Sequence, residues 1–235
     1  MKIRIKFRKY GTMKFIGHLD VMRYFQKAIR RADVDVCYSG GFSPHQIMSF
    51  AAPLGVGNTS NGEYVDIEVS STKDSETMKK CLNGVMSEGF EVVSYRGLPD
   101  DAANAMSIVG AGDYTLAFRP GYEPEDMDKE TWFQGLIAFF ERPSVMVTKK
   151  TKRGDKEMDL KPLVYELRIC PEGDGEMEGP RLFMKISAGS AANVKPEQVL
   201  DAYYGFLGKE RPPFAFMVQR EDCLLYTSDA ADDSL

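Results

Sequence analysis

Residues 2–32 read KIRIKFRKYGTMKFIGHLDVMRYFQKAIRRA, and the change of period inside this run decides the fold class. At its start Ile3, Ile5 and Phe7 alternate with Lys2, Arg4, Lys6 and Arg8, the period of two expected of a half-buried strand. From His18 onward Met22, Phe25, Ile29 and Ala32 recur at helical spacing, while Arg23, Lys27, Arg30 and Arg31 fall on another face. Asp20 lies in the first turn, where a carboxylate suits the positive end of the helix dipole. The run predicts a strand followed by an amphipathic helix with a basic outer stripe.

The next segments extend the pattern. VDVCYS and EYVDIEVS read as strands, SETMKKCLNGVMSEGF as a second helix interrupted by Gly84, and EVVSYRGLP as a closing strand. The order is β-α-β-β-α-β, the ferredoxin-like signature. It recurs after the polar junction LPDDAANAMSIVGAG. There GDYTLAFR, RLFMKISAG and FAFMVQR read as strands, and KETWFQGLIAFFER and KPEQVLDAYYGFLG as helices. Between them SVMVTKKTKRGDKEMDLKPLVYELRI reads as a long hairpin turning at RGDK. The expectation is an α+β protein of two tandem ferredoxin-like units with antiparallel sheets, covering residues 1–100 and 106–222.

Residues 223–235, CLLYTSDAADDSL, stand apart. Back-translated, their first part matches a transposon-end sequencing adaptor read in frame. They are therefore read as non-native read-through and left out of the fold reasoning. In the rest of the chain charge is unevenly placed. The formal net charge is −5, yet residues 1–56 hold ten Lys or Arg against three acids. A basic end on an acidic body suggests a localised anionic partner. No apolar run approaches the ~20 residues of a membrane span, and the N-terminus lacks a signal-peptide core, so a cytoplasmic protein without a membrane partner is expected. Cys37, Cys81, Cys170 and Cys223 show no CxxC spacing. That excludes a local zinc knuckle and the three-cysteine iron–sulfur motif, and no metal or cofactor is expected in this chain.

The stretch CYSGGFSPHQIMSFAAPLGVG, residues 37–57, is rich in glycine and proline. It lacks both GxGxxG and GxxxxGK[ST], so a nucleotide-cofactor cradle has little support. Two readings stay open. In one it is an enlarged connection whose Phe42, Ile47, Met48, Phe50 and Leu54 pack on the sheet. In the other Gly40, Gly41, Phe42, Ser43, Pro44 and His45 form a recognition loop. The two histidines, His18 and His45, are the candidate acid–base residues if the chain is an enzyme. Asp20 and Asp66 are the nearest carboxylates, and Asp66, alternating with apolar neighbours, reads as a residue of a solvated sheet face. No GxSxG, HExxH or Cys–His spacing is present. Two basic patches remain for phosphate contacts: Arg8, Lys9, Arg23, Lys27, Arg30 and Arg31, and the hairpin with Lys149, Lys150, Lys152, Arg153 and Lys156. Tyr10, Tyr24, Tyr38 and Phe42 lie near the first patch and offer stacking on single-stranded RNA where they are exposed.

The runs RKYGTMKFIGHLDVMRYFQKAIRRA and VCYSGGFSPHQIMSFAAPLGVGNTSNGEYVDIEV resemble the bacterial radical-SAM-linked family, a domain of unknown function. The likeness is specific over residues 1–70 and looser through KTKRGDKEMDLKPLVYEL, to about residue 222. It implies an accessory role beside a radical S-adenosylmethionine protein, often near genes for ribosomal proteins and RNA processing, and it carries no catalytic residues over. A weaker likeness is to CRISPR RNA-processing endonucleases. The expected function is an accessory RNA-binding or substrate-delivery protein for a radical enzyme that modifies RNA. The alternatives are a metal-independent ribonuclease or transferase using His18 or His45, and a protein-only scaffold.

Overall fold

Strand β1 (Lys2–Lys9) buries Ile3, Ile5 and Phe7 as its alternation predicts. It lies antiparallel between β3 (Thr59–Glu68) and β4 (Phe90–Leu98). The computed structural model describes residues 1–151, 154–170, 177–189 and 192–226, and the side chains of residues 149–151 and 156 lie outside that description. Within it the chain has a mixed α+β fold with a mostly antiparallel sheet and five α-helices. None of these helices is long and apolar enough to cross a membrane. Among the described residues two compact units emerge, residues 1–110 with 220–226, and residues 111–219.

In the first unit α1 (His18–Arg31) buries Val21, Phe25, Ala28 and Ile29. Phe25 packs on Phe7 at 4.5 Å between ring centroids, and on Phe50 and Phe90. The strand order is β4-β1-β3 with β10 (Phe216–Leu225, in this unit from Arg220) beside β3. The strand expected at VDVCYS is broken up. Val36 and Tyr38 make only single bridges, to Val69 and Gln46, and β2 (Met48–Phe50) forms later, on β3. The intervening Gly/Pro-rich residues turn the backbone away before the ladder can extend, with Gly41 at a φ of 99° that disfavours any side chain.

The polar row of β1 also departs from expectation. Arg4 and Asp66 form a buried ion pair through Nε–Oδ1 at 2.8 Å and Nη2–Oδ2 at 2.9 Å. The Ala105 amide donates to the same Asp66 Oδ2 at 2.7 Å, and Lys2 Nζ donates to Ala102 O at 2.8 Å. Asp66 is therefore not on a solvated face. The junction segment, with the short helix α3 (Ala105–Ile108), covers it.

Helix α2 (Ser75–Val85) starts at Asp74, whose carboxylate accepts from Thr77 N and Thr77 Oγ1. Asp128 caps α4 (Lys129–Phe140) in the second unit in the same way, through Thr131. In both caps the threonine hydroxyl and then its amide hold the carboxyl below its ordinary 3.8. A depressed carboxylate stabilises the fold above the unfolded value and loses that contribution as pH falls through the folded one. Asp74→Ala and Asp128→Ala are thus expected to unfold at lower urea than the parent at neutral pH. They should converge on it below pH 3.8. A gap that stays constant with pH would show that the caps act without their charge.

The second unit orders its strands β10-β5-β9-β8, with β5 (Val109–Phe118), β8 (Val164–Cys170) and β9 (Arg181–Ser187). Its helices are α4 and α5 (Pro196–Phe206), and Trp132, Phe133, Leu136, Val199, Leu200 and Tyr203 fill the core with Leu116 and Ile186. The expected long hairpin separates into two parts. Strands β6 (Met146–Thr151) and β7 (Gly154–Asp159) pair with each other and close between Thr151 and Gly154, whereas VYELRI belongs to β8 and pairs with β9.

Candidate functional site

Two constellations in the first unit bring the sequence-selected residues together. The first is internal. Lys9 shares the odd positions of Ile3, Ile5 and Phe7, so alternation turns it inward, and it is 2% exposed, with Nζ donating to Ile16 O at 3.0 Å. Glu63 on β3, paired in register with Phe7, is buried beside it. His18, the first residue of α1, sets its ring edge-on against Phe50 at 5.4 Å between centroids. Lys9, His18 and Glu63 line one cavity with Phe7, Phe50 and Leu54, and about 10 Å³ of it is open to the centre of a water molecule. That is room for a single water, with Lys9, His18 and Glu63 as the polar groups in an otherwise apolar lining.

Arg220 closes the cluster. Its Nη1 meets both Glu63 carboxylate oxygens at 3.0 Å, and each side chain is 7% exposed. The same guanidinium donates to Ala52 O at 3.2 Å and Pro53 O at 3.3 Å, which ties down the end of the glycine-rich stretch. Burial pushes the Glu63 carboxyl up, against the pull of Arg220. Burial pushes the Lys9 ammonium down, and Glu63 partly offsets this. Chemically the cluster can hold one water among an ammonium, a carboxylate and an imidazole. It offers no room for a polymer substrate.

The second constellation is external. Arg23, Lys27, Arg30 and Arg31 are all exposed along α1. Arg23 meets Asp20 at 3.4 Å, and Arg31 donates to Val85 O at 3.0 Å. The backbone carbonyl of Gln26 accepts from Arg30 Nε and from Gln46 Nε2, both at 3.2 Å. Gln46 thereby fastens the far end of the loop beside the basic stripe. Its Oε1 is buried without a hydrogen-bond partner among the described residues. Gly40 to His45 are exposed, and so is Tyr38. Phe42 is fully exposed, contrary to the packing reading, while Phe50 and Leu54 are buried as that reading expects. His45 is held by Ser39, through Nδ1 at 2.8 Å and its own amide at 3.1 Å to the hydroxyl. It does not line the His18 cavity.

Arg8, near the end of β1, is exposed and bonded to Asn61 and Glu91. In the second unit Lys149 pairs in register with Lys156 and Lys150 with Asp155. The side chains of Lys149, Lys150 and Lys156, like Lys152 and Arg153 altogether, lie outside the described residues. Among the described residues no group of three His, Cys, Asp or Glu is placed to hold a metal ion. Sequence reasoning missed Glu63 and Arg220. Lys9, expected among the phosphate contacts, is instead buried with its Nζ on Ile16 O, and Glu63 and Arg220, 157 positions apart, carried no signal.

No curated protein matches the chain. The model of a family described as "Uncharacterized protein conserved in bacteria (DUF2344)" matches residues 2–196, most of its length. The chain belongs to this bacterial family.

Proposed function

We propose that the protein is an accessory RNA-binding or substrate-delivery protein, acting in the cytoplasm beside a radical S-adenosylmethionine enzyme that modifies RNA. The observation that carries the RNA part is the shared Gln26 carbonyl. It fastens a loop with exposed Tyr38 and Phe42 next to the exposed Lys27 and Arg30. Aromatic faces beside a cationic stripe suit single-stranded RNA, whose bases stack while its phosphates pair with Lys and Arg. The radical-enzyme part rests on the sequence resemblance. Each unit is read as ferredoxin-like, a reading supported by the order β4-β1-β3 with β2 on the far side of β3, and by β10-β5-β9-β8.

Anisotropy titration of a short single-stranded RNA tests the reading. Affinity should fall steeply between about 50 and 200 mM salt. The double replacement Lys27→Glu with Arg30→Glu should weaken binding and flatten that salt slope. Phe42→Ala should lose roughly 1–3 kcal/mol without changing it. Absence of binding by the parent protein at low salt would sink the reading.

A further inference from the structure

The second unit contains a groove of about 540 Å³ that none of the sequence motifs marked. One wall is a run of five consecutive residues, Ser144 to Thr148, and the other is set by α5 and the end of α4. A groove over one face of a strand is lined by alternate residues, because successive side chains point to opposite faces. Here Val145 and Val147 pack on the core while Ser144, Met146 and Thr148 are exposed, and all five border the groove. The groove therefore follows the backbone edge of β6 and the two residues leading into it.

Strand β6 pairs with β7 on one side and, among the described residues, with no strand on the other. Such an edge turns the N–H and C=O of every second residue outward, a template for a further strand. Across the groove Gln198, Asp201, Ala202 and Gly205 lie at i, i+3, i+4 and i+7 on α5, one face of the helix. Ala202 and Gly205 keep that wall low, and a Cβ on Gly205 would meet nothing within 4 Å. The space left between helix and edge suits an extended backbone.

Charge narrows the class of segment. Asp201, the carboxylate in the lining, is engaged by Arg211 at 2.6 Å. Arg142 is exposed, with its guanidinium 4.1 Å from the Phe206 ring centroid and 5.2 Å from that of Phe139. Among the described residues Arg142 has no ion-pair partner. A guanidinium laid on aromatic rings keeps its N–H edge for a carboxylate, which it holds by two parallel bonds. A strand lying in the groove would cover that pair, and a shielded pair is worth more than an exposed one. Met146 and Phe206, both at least half exposed, offer apolar contacts beside it.

We propose that this groove takes an extended acidic segment of a partner protein as a third strand on β6, with an Asp or Glu side chain of that segment against Arg142. Main-chain pairing would supply affinity, and the Arg142 corner would supply selectivity. The proposal is independent of the RNA reading.

The test uses the full chain. A displayed library of random decapeptides is selected on it, and the most enriched sequence, synthesised with both ends blocked, is the probe. Enriched sequences should carry Asp or Glu within two positions of an aliphatic or aromatic residue. Amide shifts on adding the probe should concentrate at residues 142–148 and 198–206. Replacing the probe's acidic residue by its amide, or Arg142→Gln in the protein, should each weaken binding about tenfold, as for a lost hydrogen bond between charged groups. The two changes together should cost little more than either alone. N-methylation of alternate probe amides should abolish binding in one frame and spare it in the other, because only every second amide faces β6. Gly205→Trp should weaken binding by filling the groove. Wild-type affinity in Arg142→Gln and Gly205→Trp with native circular dichroism, equal binding by the two N-methylated frames, or selection without acidic residues would overturn the proposal. So would probe shifts that avoid the groove, groove shifts produced by single-stranded RNA and by no selected peptide, or self-association of the full chain that protects the same amides.

Discussion

Arg220→Ala is expected to destabilise the first unit by about 3–5 kcal/mol, the usual cost of leaving one partner of a buried ion pair uncompensated. Glu63 would remain enclosed with Lys9 as its nearest cation, and the Ala52 and Pro53 carbonyls would lose their donor. The pH dependence has a definite sign. Burial already holds the folded Glu63 carboxyl above its ordinary 4.5. A raised acid contributes stability below the unfolded value and loses it as pH rises through the folded one. Removing Arg220 raises it further, so the variant's deficit should widen from pH 4.5 toward neutrality. Urea unfolding at the two pH values checks this, with hydrogen exchange at Ile5, Val65 and Ile67 locating the loss in the first unit. Glu63→Leu combined with Arg220→Met should be less damaging than Arg220→Ala, because no charge is left buried. An Arg220→Ala protein that unfolds with the parent would show that the pair contributes nothing.

Trp132→Ala should cost the second unit a similar amount, about 3–5 kcal/mol, through lost transfer energy and the cavity left behind. Trp132 is buried, and its ring centroid lies 4.9 Å from Tyr203, 5.1 Å from Phe118, 5.3 Å from Tyr204 and 5.7 Å from Phe216. These come from α5, β5 and β10, so the neighbours cannot all collapse into the space at once. Trp132→Phe should cost clearly less, since an aromatic ring still fills most of the volume. Because Trp132 is the chain's one tryptophan, circular dichroism rather than indole fluorescence must follow the unfolding. Equal midpoints for Trp132→Ala and Trp132→Phe would argue against a packing role.

Much of the local structure could be read directly from residue spacing. The switch from alternation to helical spacing in residues 2–32 locates β1 and α1. The exposed row of Arg23, Lys27, Arg30 and Arg31 follows from the same spacing. Periodicity records which face of an element is apolar, and that is a local property. Lys9 was expected among the phosphate contacts, yet it follows the alternation of Ile3, Ile5 and Phe7 inward and is buried.

What spacing does not record is which elements become neighbours. Arg4 and Asp66 look like surface residues until the junction segment covers them. Phe42 looks like core until Gly41 and its neighbours turn it outward. Glu63 and Arg220 are ordinary charged residues until the chain returns from Gln219 to place Arg220 in the first unit. The sequence by itself determined β1, α1 and the basic stripe, because each depends on residues within a few positions. Only the tertiary structure decided the buried ion pairs and the His18 cavity, because each joins side chains whose separation along the chain leaves no periodic trace.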